Sequence, residues 1–171
     1  VRIVFLDIDG VLNHEAFYRK RQEEGIHIYP TYPLSEFDPE SVSRLNYILE
    51  QTGAKVVMSS SWRHGRTIQE LQNILEKVGF KGELIDKTPS FKHDDCVRGN
   101  EIEKWIDDHR ELLGADKFRY CEYVILDDDC DMLYTQKDNF IHVDRYVGIT
   151  MQTAIRAINI LKTVREPLIL S

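Results

Sequence analysis

The chain has 171 residues, 42% of them hydrophobic, and a formal net charge of −7. That length suffices for one domain with its own core, and residues 1–171 are expected to form one. The acidity excludes a protein that coats nucleic acid through a general basic surface, and no apolar run approaches a membrane span.

Val1 to Leu6 reads V-R-I-V-F-L, a near-continuous apolar run of the kind found in strands buried on both faces. The stretch 13–37 has no clean period; it holds three tyrosines, two prolines and the basic patch Arg19, Lys20, Arg21. We read it as an insertion after the first strand, a small helix and a flap. Asp38-Pro39 is an N-cap followed by proline at the first helical position. Val42, Leu45, Ile48 and Leu49 form one face of that helix, and Gly53 closes it. Lys55-Val56-Val57-Met58 is the second strand. Thr67 and Glu70 have capping-box spacing ahead of Ile68, Leu71, Ile74, Leu75 and Val78, with Gly79 as the stop.

Glu83-Leu84-Ile85 is a weaker strand. Asn100 is placed to cap a helix carrying Ile102, Trp105, Ile106, His109, Leu112 and Leu113, closed by Gly114. Tyr123 to Leu126 and Phe140 to Val143 are two further strands. Thr150 caps a last helix with Met151, Ala154, Ile155, Ile158 and Leu161, and Glu166-Pro167 ends it. Strands alternating with helices predict an α/β fold: a Rossmann-like three-layer α/β/α arrangement around a central parallel sheet. Such sheets bind ligands beyond the carboxyl ends of their strands.

Asp7 and Asp9 follow the first strand, Ser59, Ser60 and Ser61 the second, and Asp127, Asp128 and Asp129 the fourth, with Asp131 two further on. Converging carboxylates require a compensating cation, and hard oxygen ligands suit Mg2+. Serine hydroxyls and backbone N–H groups nearby suit a phosphate. A carboxylate can attack phosphorus, and a second acid can move the protons.

The segment Asp7-Ile8-Asp9-Gly10-Val11-Leu12 resembles the first motif of the haloacid dehalogenase (HAD) superfamily of phosphatases. Ser59 resembles the second-motif Ser/Thr, Arg98 in Arg98-Gly99-Asn100-Glu101-Ile102 the third-motif Lys/Arg, and Asp127-Asp128 the acidic fourth motif. The resemblance implies that Asp7 is the nucleophile and Asp9 the general acid/base. Asp7, the Asp9 carbonyl and Asp127 would hold Mg2+, with Asp128 ranked next and Asp131 third. It also implies that Ser59, helped by Ser60, and Arg98 grip the phosphoryl group. Arg98 replaces the commoner lysine and keeps its charge; Lys92 competes for the role.

Ser59-Ser60-Ser61-Trp62-Arg63 and the triple Asp are similar to small HAD domains associated with nucleic-acid (RNA) repair, some joined to other repair enzymes. The implied substrate is a nucleotide or polynucleotide phosphate end. A small phosphorylated metabolite and a receiver-like phospho-acceptor domain are the alternatives. Arg63, with His64 and Arg66, either contacts substrate or forms a solvated face. Trp62 and Trp105 are read as packing residues, and His142 as a satisfied buried histidine. Cys96, Cys121 and Cys130 show no metal-ligand spacing; we expect small, at least half-buried residues in a reducing cytoplasm.

Overall fold

The computed structural model describes residues 1–26, 36–91, 97–113 and 122–163. Five strands form one all-parallel sheet: β1 (Ile3–Leu6), β2 (Lys55–Met58), β3 (Leu84–Lys87), β4 (Tyr123–Asp127) and β5 (Phe140–His142). Their spatial order is β3-β2-β1-β4-β5. The helices are α1 (Glu15–Glu23), α2 (Pro39–Thr52), α3 (Ile68–Lys77), α4 (Arg98–Asp108) and α5 (Met151–Lys162). This is the expected Rossmann-like α/β architecture.

Side chains alternate across a strand, and the core divides accordingly. Val4, Leu6, Val56, Met58, Val124 and Leu126 pack with Leu45 and Ile48 of α2, Leu71 and Leu75 of α3, and Ala154, Ala157 and Leu161 of α5. Ile3, Phe5, Val57 and Ile125 face the other way, onto Ile102, Trp105 and Ile106 of α4. Phe5 meets Trp105 edge-on at 5.4 Å, and the Trp105 indole donates to Asp86 at 2.6 Å. Trp105 is thus a core residue, as its sequence context suggested. Helix α1 buries none of its residues and lies in the insertion, where a small helix was anticipated. The flap residues 27–35 lie outside the described residues.

The predicted helix starts hold in three cases. Asp38 accepts from the Glu40 and Ser41 backbone ahead of α2, Thr67 and Glu70 form a capping box, and Thr150 accepts from Thr153 N. The fourth differs. Helix α4 begins at Arg98 rather than after Asn100, and its N-cap residue, Val97, makes no side-chain cap bond. The Arg98 and Gly99 N–H groups are instead taken by the Asp131 carboxylate, at 2.9 Å, and the Asp131 carbonyl, at 3.1 Å. A helix terminus needs acceptors for its free N–H groups, and here a residue from beyond β4 supplies them. The helix also ends at Asp108, with His109 stacked on Trp105 at 4.1 Å. Among the described residues no helix is long and apolar enough to cross a membrane.

Candidate active site

Three strands end at one level. Leu6 pairs with Met58 on one side and Leu126 on the other. The ladder carries one residue further, since Ser59 N donates to Leu6 O and Asp7 N to Leu126 O, each at 3.0 Å. Asp7, Ser59 and Asp127 are therefore neighbours. By the same alternation they continue the faces of Phe5, Val57 and Ile125, which point at α4. The first residue of α4 is Arg98, so the guanidinium meets the carboxylates from that layer.

Arg98 Nη1 stands 2.9 Å from Asp7 Oδ1 and 3.1 Å from Asp127 Oδ2. Neither approach is aligned as a hydrogen bond, and both Arg98 Nη1 and Asp127 Oδ2 are buried without one. Burial pushes the Asp7 carboxyl above its ordinary pKa, against the pull of Arg98, the Ser60 hydroxyl and the Ile8 N–H. Asp127 is pushed up to about 7 by burial and by Asp7, with Arg98 opposing. The Ser59 hydroxyl is likewise buried and unpartnered, an orphan donor at the edge where the resemblance puts a phosphoryl group.

Asp9 lies beyond the strand and is exposed. Its two oxygens are held separately: Asn13 Nδ2 donates to Oδ1 at 2.8 Å and the Trp62 indole N–H to Oδ2 at 3.0 Å. Asn13 Oδ1 also accepts from Gly10 N at 2.9 Å, closing the turn. From the insertion, Tyr18 and Glu36 come close enough to feel the Asp9 charge, which helps burial to raise both their pKa values.

Carboxylate oxygens of Asp7, Asp127 and Asp128 all lie within 4.8 Å of one another. The Asp9 carboxylate is not among them, so any contribution from Asp9 falls to its backbone carbonyl. The group suits a hard divalent cation. Three acids converge, one buried oxygen has no hydrogen bond, and among the described residues the cationic contacts are Arg98 and Arg145, the latter 2.9 Å from Asp128 Oδ2. Gly10 makes the close approach possible: with φ of +74°, a Cβ there would sit 2.5 Å from the Asp128 carboxyl carbon.

Residues 3–154 match the family described as the HAD domain in Swiss Army Knife RNA repair proteins. The chain belongs to this family. Comparison with curated proteins and with solved structures gives no significant match. Membership supports a HAD-type phosphatase in general.

Within this HAD domain several sequence expectations require correction. Arg63 is buried, not poised for substrate. It donates to the carbonyls of Ser59 (2.7 Å), Ser60 (2.9 Å), Thr88 (3.1 Å) and Pro89 (3.2 Å), and to Glu101 at 2.5 Å. Its task is to hold the turn after β2. His142 is exposed, and its Nε2 donates to the Asp128 carbonyl at 2.8 Å, steadying the acidic loop. Cys130 is an exposed free thiol in the loop beyond the carboxyl end of β4; Cys96 and Cys121 lie outside the described residues, as does Lys92. Asp131, ranked third as a metal ligand, stands apart from the group of Asp7, Asp127 and Asp128 and caps α4 through one carboxylate oxygen.

Asn13, Gly10 and Arg145 went unassigned in the sequence. The Asp-x-Asp-Gly turn carried a signal for Gly10; Arg145 carried none.

Arg63→Met tests the structural role of Arg63. Glu101 would be left buried without its partner, a loss of about 3–5 kcal/mol, so chemical denaturation should show a sharply lower midpoint. An unchanged midpoint with weakened substrate binding would restore the substrate-contact reading.

Proposed function

We propose that this HAD domain is a Mg2+-dependent phosphomonoesterase that works through a phosphoaspartate on Asp7. We further propose that its substrate is the phosphate end of a nucleotide or polynucleotide. The observation that carries the reading is the convergence of Asp7, Asp127 and Asp128 beside the free Ser59 hydroxyl and Arg98.

The chemistry divides among these residues. An Asp7 oxygen attacks phosphorus, forming the P–O bond to the carboxylate as the bond to the leaving oxygen breaks. Asp9 gives its proton to that leaving oxygen. Water then attacks the phosphoryl group, Asp9 takes its proton, and Asp7 is released with inorganic phosphate. The Ser59 hydroxyl donates to a phosphoryl oxygen, and Arg98 turns its charge from Asp7 toward the transferred group. Bound at Asp7, Asp127 and Asp128, Mg2+ would neutralise charge between nucleophile and phosphoryl oxygens.

The family's occurrence in RNA repair proteins supports a nucleic-acid end over a small metabolite. It also supports association with other repair domains. An Asp9 fixed by two donors beside Asp7 favours turnover over the long-lived phosphoaspartate of a receiver-like signalling domain.

Hydrolysis of p-nitrophenyl phosphate is expected with Mg2+ and not with EDTA. Mg2+ should also raise the melting temperature, by the equivalent of about 2.7 kcal/mol at a hundred times Kd. Undiminished activity in EDTA would overturn the metal assignment. Among mononucleotides and 3′- or 5′-phosphorylated oligonucleotides, one phosphorylated end should be preferred. Equal, weak activity on all of them would remove the nucleic-acid reading.

A further inference from the structure

We propose that Trp62 is a positioning residue for proton transfer: its indole N–H sets the plane of the Asp9 carboxylate from which the leaving oxygen is protonated. The inference rests on the phosphatase reading above.

Trp62 occupies the short helical turn Ser61–Arg63 that directly follows Ser59 and Ser60. The Arg63 guanidinium pins the Ser59 and Ser60 carbonyls just before that turn and ties them to the Thr88 carbonyl beyond β3. The segment presenting the phosphate-facing hydroxyl therefore also fixes the indole. The ring is not a free stacking surface: Phe37 meets it edge-on at 5.4 Å, and the Arg66 guanidinium lies 5.5 Å from its centroid. Arg66 is itself tied to the Trp62 carbonyl at 2.9 Å. With Phe37 and Arg66 against the half-buried ring, its polar edge points at Asp9 Oδ2, 3.0 Å away.

Two donors on opposite oxygens define a carboxylate's orientation more firmly than one. Asn13 holds Oδ1 and Trp62 holds Oδ2. Each oxygen has a second acceptor site, so the contacts leave room for the transferred proton while removing rotation about the Cβ–Cγ bond. Asn13 is the poorer probe, because it also accepts from Gly10 N and its loss would disturb the turn. Trp62 makes no backbone contact through its indole N–H, so that atom can be removed alone.

Trp62→Phe removes the N–H and keeps an aromatic ring between Phe37 and Arg66. Replacement by 3-benzothienylalanine does the same with the ring's full size retained. The readout is kcat/KM for two phosphate esters, since this ratio follows the first transfer to Asp7. An alkyl phosphate has a basic leaving oxygen that needs the proton; p-nitrophenolate needs little help. Loss of about 10- to 100-fold is expected for the alkyl ester and of no more than about threefold for the aryl ester. Equal losses on the two esters, or no loss on either, would overturn the positioning role. Absence of turnover in the unaltered protein would instead overturn the phosphatase reading.

Discussion

Asp7→Asn should abolish turnover, by at least about 10⁴-fold, while the protein stays folded. An amide nitrogen or oxygen in that place does not form the acyl phosphate, and among the described residues no second carboxylate is placed to replace it. Asp127 is the nearest substitute, but it is fully buried and faces Arg98. The fold should not suffer. Burial already pushes the Asp7 carboxyl toward its neutral form, so the ionised side chain costs the native state energy. Removing that charge also relieves Asp127, whose pKa Asp7 helps to raise. Without Mg2+ the melting temperature is therefore expected to hold or rise. Full phosphatase activity in this variant would sink the nucleophile assignment; loss of both fold and activity would show that Asp7 is held more favourably than its burial implies.

Asp9→Asn should slow turnover by about 10²- to 10⁴-fold, the range general acid–base groups supply. Asparagine is a more disruptive change here than its shape suggests. Both neighbours of the Asp9 carboxylate, Asn13 Nδ2 and Trp62 Nε1, are donors. Whichever way the new amide is turned, its NH2 group faces another N–H. The variant thus loses both the proton and the orientation. With p-nitrophenyl phosphate the first step should still proceed, because the leaving group is good, and the second should stall for want of a base. A burst of about one p-nitrophenolate per protein molecule, followed by a slow phase, is the expected trace. Steady release at the unaltered rate would refute the acid/base role.

Local patterns in the chain foretold much of this arrangement. The apolar runs at 1–6, 55–58 and 123–126 lie within a residue or two of β1, β2 and β4, because a strand buried on both faces admits little else. Asp38-Pro39 and Thr67 with Glu70 announced their helices, because those caps are closed by residues two or three positions away. The start of α4 was misplaced for the opposite reason: its cap comes from Asp131, 33 residues further along. Arg63 resembled its polar neighbours His64 and Arg66, and the partners that explain its burial include Thr88 and Pro89, 25 and 26 residues away, and Glu101, 38 away. At the site, Asp7, Ser59 and Asp127 were legible as residues just past strand ends. The partners of Asp9 were not, since Trp62 reaches it across 53 residues and nothing in its neighbourhood marks a donor.

The even ending of β1, β2 and β4 has a consequence for how this protein can change. Asp7, Ser59 and Asp127 share a face only because each sits an even number of positions from Phe5, Val57 and Ile125. Deleting or inserting one residue within any of the three strands would swing its terminal group to the opposite side of the sheet, away from Arg98. Variation in length is then confined to the connections, beyond the turns at 9–13 and 59–63 that hold Asp9. The backbone ladder acts as a ruler for the site, and it tolerates graduation in steps of two.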